Sequence, residues 1–223
     1  LLSIIFISGN FWYNKKIIDK SIEKNTGEYV VLIHGLGRTS FSMQNIGKEL
    51  VKQNYRVINI NYPSRSDTIE NLVDNYLKKE LTEKYLDKDE KINFVTHSMG
   101  GIMVRCFLLN NELANVNRIV MLAPPNSGSE SADKWSLNRF VNNIMGPALR
   151  ELMTGENSFV NNLDEFDFEV GVIAGEYDGK VFTSQTKLNK MKDFVILPCW
   201  HTFIMSDLEV IKKTINFLQE GVF

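Results

Sequence analysis

Ser98 is the serine whose surroundings could turn a hydroxyl into a nucleophile. It interrupts Ile92-Asn93-Phe94-Val95-Thr96-His97-Ser98-Met99-Gly100-Gly101, which opens with the β-branched and aromatic composition of a buried strand. Beyond it, Gly101 to Leu109 has the length and apolar content of a buried helix. A serine on a sharp turn between strand and helix is held clear of the backbone, with a helix N-terminus behind it. That turn is a nucleophile elbow, usually written G-x-S-x-G, whose small residues let strand and helix pass closely. Gly100 fills the second small position, whereas Thr96 replaces the first glycine.

A serine hydroxyl needs a base to take its proton and an acid to orient that base. Only three histidines compete for the role of base. His97 adjoins Ser98 within the elbow, so its ring leaves in another direction and packs structurally. His34 ends an early strand and braces the loop after it. His201 follows the last expected strand, where a loop delivers an imidazole to the C-terminal edge of a sheet, and it is assigned as the base. The acid is expected at the end of the preceding strand. Asp178, in Gly175-Glu176-Tyr177-Asp178-Gly179, is best placed; Glu176 is its rival, and Asp193 opens a strand on the wrong edge.

Attack on a carbonyl puts negative charge on oxygen, which calls for N–H groups aimed in advance. The backbone N–H of Met99 opens the elbow helix, and that of Leu36 lies in His34-Gly35-Leu36-Gly37, where two glycines force a tight turn after a strand. Each such donor contributes roughly 3 kcal/mol to the transition state. Trp135, Trp200 and Phe203 are candidates for an apolar substrate pocket.

Together, Val31-Leu32-Ile33-His34-Gly35-Leu36-Gly37 and Thr96-His97-Ser98-Met99-Gly100-Gly101 resemble the α/β-hydrolase superfamily, in particular small bacterial lipases and esterases. The resemblance runs from about Tyr29 to the C-terminus. Leu122-Ala123-Pro124-Pro125-Asn126-Ser127-Gly128-Ser129 is similar to a segment after the following strand in lipase relatives, and Asp178-Gly179-Lys180-Val181 and His201-Thr202 match the acid and base positions. Serine, acid and base also fall in that superfamily's chain order. The resemblance implies hydrolysis of an acyl ester or lipid through an acyl-enzyme, without metal or cofactor. An acyltransferase or thioesterase would use the same triad, and a binding protein on this fold would need none of it.

The elements that must position these groups alternate in type. Strands are expected at Tyr29–Ile33, Tyr55–Ile60, Ile92–His97, Arg118–Ala123, Glu169–Ala174 and Asp193–Pro198. Between them lie helical patterns such as Ile69, Leu72, Val73, Tyr76 and Leu77. Asp87 to Lys91 reads as a charged loop. Ser206 and Glu209 form an expected capping box for a last helix that Gly221 closes. The fold class is therefore α/β: one mostly parallel, doubly wound sheet with helices on both faces. Residues 126–167 carry no strand signal and have the place and length of a lid or cap, or of a crossover helix.

Net charge −2 with no basic stripe argues against nucleic acid as a partner. The two cysteines, Cys106 and Cys199, form neither a disulfide framework nor a metal site. Residues 1–28 stand apart from the domain at 29–223. Leu1 to Ile7 is too short an apolar run to span a bilayer, which takes roughly 20 residues. It reads as the end of a signal or anchor segment, or as an edge strand. Phe11-Trp12-Tyr13 before Lys15 and Lys16 favours the anchor, hence membrane association or export; otherwise the protein is cytoplasmic.

Overall fold

The computed structural model describes residues 2–84, 90–164 and 167–223, with side chains from Tyr13 onward except those of residues 83 and 84. Most of the expected charged loop at Asp87–Lys91 therefore lies outside the described residues. The strands are β1 Tyr29–Ile33, β2 Arg56–Ile60, β3 Ile92–His97, β4 Val116–Leu122, β5 Glu169–Gly175 and β6 Asp193–Leu197. They form one sheet in the order β2-β1-β3-β4-β5-β6, with every adjacent pair parallel. A parallel sheet must be covered on both faces, which is why its strands read as unbroken apolar runs. In β1, Val31 and Ile33 enter one buried layer while Val30 and Leu32 enter the other.

The helices that cover the sheet begin with α1 Leu2–Lys24, α2 Gln44–Lys52, α3 Ile69–Leu72 and α4 Lys79–Lys84, the last two joined by a π-helical stretch, Val73–Lys78. They continue with α5 Met99–Asn110, α6 Glu130–Leu137, α7 Arg139–Met145, α8 Ala148–Glu151 and α9 Leu208–Glu220. Residues of α3, α5 and the π-helical stretch pack into one layer; those of α1, α2 and α9 pack into the other.

The N-terminal residues form a helix rather than an edge strand. Its later part joins the core: Ile18 and Ser21 are buried, and the Ser21 hydroxyl accepts the Val57 N–H at 2.9 Å. Among the described residues no helix is long and apolar enough to cross a membrane. The side chains of Phe11 and Trp12 lie outside the described residues, and Tyr13 is exposed.

The start of α9 departs from expectation. Asp207, not Ser206, caps it: the Asp207 carboxylate accepts the N–H groups of Glu209 and Val210 at 2.9 and 3.1 Å. A full negative charge suits a helix N-terminus better than a hydroxyl. Ser206 Oγ instead accepts from the Asn45 amide. Gly221 ends the helix in the left-handed conformation, φ 78°.

Residues 126–167 form short helices, α6 to α8 followed by a 3-10 turn at Phe159–Asn162. The buried Arg105 of α5 holds both ends of this insertion, donating to the carbonyls of Asn126 at 3.1 Å and Leu163 at 2.9 Å. In α7 no residue is buried, and Phe140 is 73% exposed.

Candidate active site

The chain moves from β1 outward to β2 and then back past β1 to β3, so the winding direction reverses between β1 and β3. In open α/β sheets, crevices form at the carboxyl ends of the strands beside such a reversal. Ser98 follows β3 there, and the turn of Gly35 to Arg38 follows β1.

Backbone geometry makes Ser98 an elbow. Its φ of 53° and ψ of −125° are strained for a residue with a side chain, a condition that clusters at functional sites. Its N–H donates to Leu122 O of β4 and its carbonyl accepts from Gly101 N, each at 2.9 Å. Gly100 is needed because a Cβ there would lie 2.5 Å from Ile33 O. Thr96 fits where a glycine was expected because Gly101 leaves room beside it. A Cβ at Gly101 would stand 3.3 Å from Thr96 Oγ1 and 3.1 Å from Pro124 Cβ.

The structure brings Ser98, His201 and Asp178 into one hydrogen-bonded line. Ser98 Oγ lies 3.1 Å from His201 Nε2, and His201 Nδ1 lies 2.6 Å from Asp178 Oδ2. All three residues are largely buried. A carboxylate can only accept, so Nδ1 carries the proton and Nε2 is left to accept from the serine hydroxyl. Asp178 is itself pinned, because its Oδ1 accepts the N–H groups of Lys180 at 2.8 Å and Val181 at 2.9 Å. Glu176 is exposed on the same turn. Asp193 sits at the opposite end of its strand, accepting the N–H groups of Phe194 and Phe223.

The other two histidines serve the frame. His97 Nε2 donates to the backbone carbonyl of His201 at 3.0 Å, so it holds the loop that carries the imidazole as well as packing. Burial pushes its pKa well below the ordinary histidine range. His34 stacks on Tyr62, with ring centroids 4.0 Å apart, and donates from Nδ1 to Gly35 O at 3.0 Å. Its Nε2 accepts from Tyr62 N.

Desolvation lowers the His34 pKa from the ordinary 6.5 to about 4. Above pH 6.5 the ring is neutral folded or unfolded. As pH falls towards 4 the unfolded chain binds the proton first, so stability falls, by about 3 kcal/mol in all. The denaturation midpoint in urea should accordingly drop between pH 7 and 4.5 more steeply for the wild type than for His34→Gln. Equal slopes would refute the contribution of this ring.

Leu36 is the second residue of a turn closed by Arg38 N–H to Gly35 O at 3.2 Å, so its own N–H is not spent on closing it. Met99 opens α5, where the first N–H groups have no helical acceptor. Neither main-chain N–H is thus used up by the turn or the helix it opens. The side chains differ: Leu36 lines the cavity beside Ser98, whereas Met99 is wholly buried in the core.

That cavity has a volume of about 380 Å³ and an apolar wall drawn from the insertion, including Ala132, Trp135, Val141 and Met145. The insertion thus supplies one wall of the cavity that Ser98 lines. Ser129 and Ser131, at its start, donate to the carbonyls of Lys180 and Gly179, tying the insertion to the loop that carries Asp178. Of the three expected pocket aromatics, Trp135 lines this cavity. Trp200 and Phe203 do not; they are 65% and 68% exposed. They flank His201 in sequence, but the turn that aims its imidazole inward aims them outward. Trp200 meets Tyr177, and Phe203 borders a separate cleft with Phe41 and Asn45. Sequence reasoning missed three cations on the cavity lining, Arg38, Arg65 and Lys180.

A family model described as "Domain of unknown function (DUF7379)" matches residues 9–164. The chain belongs to that family. Its fold is that of the α/β-hydrolases, shared with solved lipases and esterases. The mature Bacillus licheniformis lipase BlEst2 superposes with a TM-score of 0.70 at 19% identity, over 88% of this chain and 93% of that one. The phospholipase PlaB from Legionella pneumophila gives 0.71 at 18% identity, over 88% of this chain; the match spans only 60% of PlaB. The esterase RhEst1 from Rhodococcus sp. ECU1013 gives 0.63 at 15% identity, over 87% and 91%. No protein of curated function matches the sequence.

Proposed function

We propose that this DUF7379 member is a serine hydrolase that cleaves carboxylic esters through an acyl-enzyme on Ser98. The reading rests on one observation above all: a buried serine–imidazole–carboxylate line, held at both ends, opening into a cavity with an apolar wall. Its structural neighbours, among them a lipase and an esterase, agree with it.

Ser98 Oγ attacks the acyl carbonyl and passes its proton to His201 Nε2. Asp178 keeps the ring oriented and stabilises the imidazolium that forms. The N–H groups of Leu36 and Met99 receive the oxyanion. His201 then returns the proton to the departing alcohol, and water attacks the acyl-serine with His201 again as base. The apolar wall takes the acyl chain.

A fluorophosphonate probe tests this. The wild type should be labelled on one serine, seen as a single mass increment, and Ser98→Ala should stay unlabelled. A folded wild type that resists the probe would sink the reading.

A further inference from the structure

The cavity beside Ser98 has cations on its lining and no acid. Arg38, Arg65 and Lys180 all line it; no aspartate or glutamate does. Among the described residues none of the three is paired with a carboxylate, although surface lysines and arginines elsewhere are paired, such as Arg118 and Lys192 with Glu169. The nearest acid to Lys180 along the chain, Asp178, is buried, and its two oxygens are taken by His201 and by the N–H groups of Lys180 and Val181.

Two of these cations are held where repulsion opposes them. Arg38 and Lys180 are both half-buried; burial and then the Arg38 charge lower the Lys180 pKa, against the opposing pull of the Asp178 carboxylate. The Lys180 ammonium also lies 5.6 Å from the centroid of the Trp135 ring. Bringing like charges together in a part-dry cavity is unfavourable unless an anion joins them.

Their placement says which part of a substrate they face. Arg38 donates to Thr202 O at 3.2 Å, next to His201, and Lys180 stands two residues beyond Asp178. Both belong to the histidine side of the site. The histidine delivers the proton to the departing oxygen, so that side receives the alcohol portion, while the apolar wall receives the acyl chain.

We infer that the substrate is an acyl ester whose alcohol portion carries a phosphoryl group, bound by Arg38, Lys180 and Arg65 at the mouth of the Ser98 cavity. Arginine's planar fork and lysine's point charge both suit phosphoryl oxygens. This builds on the hydrolase reading. The step balances as hydrolysis: the acyl C–O bond breaks, the Ser98 proton passes through His201 to the phosphorylated alcohol, and water releases the carboxylic acid. The phosphate ester itself is untouched.

The test compares kcat/KM on monobutyryl- and monodecanoylglycerol phosphate with kcat/KM on the matching neutral monoacylglycerols, below their micelle concentrations. The phosphorylated member of each pair should be favoured about tenfold or more, chiefly through KM, and added salt should erode that preference because exposed charges are screened. In Lys180→Met and in Arg65→Gln the phosphorylated-to-neutral ratio should fall severalfold, and further in the double variant. Taking the neutral ester as denominator removes any general damage to folding. Preference confined to the decanoyl pair would identify a lipid phosphate; preference in both pairs, a phosphorylated alcohol in general. A ratio near one in the wild type, a ratio that the substitutions leave unchanged, or a protein that takes the fluorophosphonate label yet cleaves none of these esters overturns the inference alone. Failure to label overturns the hydrolase reading with it.

Discussion

Replacing Ser98 with alanine is expected to lower kcat on a short aryl ester by about 10⁵-fold, close to 7 kcal/mol of activation free energy. The substitution removes one oxygen and the only atom able to form the acyl bond. It leaves Gly100, the close approach of α5 to β1 and the N–H groups of Leu36 and Met99 as they were. Residual turnover should therefore exceed the rate in water, because those donors still polarise a bound carbonyl. His201→Ala should cost nearly as much, since it leaves the hydroxyl beside an apolar methyl with nothing to take its proton. The double variant should be little slower than either single one, because the pair acts as a unit. Additive losses would mean that Ser98 and His201 act separately. A Ser98→Ala enzyme within tenfold of wild type would remove Ser98 from the chemistry.

The fold was legible where burial dictates composition. A strand covered on both faces must be apolar throughout, so β1, β3 and β5 announced themselves within a residue or two of their observed ends. The order of the proposed triad follows the same logic, because Ser98, Asp178 and His201 each lie within four residues past the carboxyl end of a parallel strand. Thr96 departs from the elbow pattern only at its own position. The room it needs comes from Gly101, five residues on and across the strand–helix junction.

Direction of side chains was not legible in loops. Trp200 and Phe203 sit within two residues of His201, yet the turn there follows neither the two-residue alternation of a strand nor the face of a helix. Closeness in sequence to a base therefore carried no information about the pocket. The cations were hidden for a different reason. Arg38, Arg65 and Lys180 come from three separate loops, and only the folded sheet edge brings them to one cavity. The docking of the N-terminal helix was hidden as well. Its first residues are apolar and dominate the reading, whereas Ile18 and Ser21, which dock it on the core, look ordinary in sequence.

Asp178→Asn isolates what the carboxylate contributes beyond shape. In the wild type Oδ1 accepts two backbone N–H groups while Oδ2 accepts from His201 Nδ1. An asparagine can satisfy the two backbone donors only by turning its carbonyl oxygen towards them. Its NH₂ then faces His201 and donates to Nδ1, which forces the ring proton onto Nε2. That tautomer presents an N–H to the Ser98 hydroxyl and cannot take its proton. A loss of about 10⁴-fold in kcat is expected, while the loop keeps both of its bonds and stability changes by about 1 kcal/mol. Asp178→Ala would instead orphan both backbone donors and should lower stability further. The decisive comparison is kcat against the urea midpoint for the two variants: a folded Asp178→Asn enzyme within tenfold of wild-type activity would show that the His201 proton is held by something other than this carboxylate.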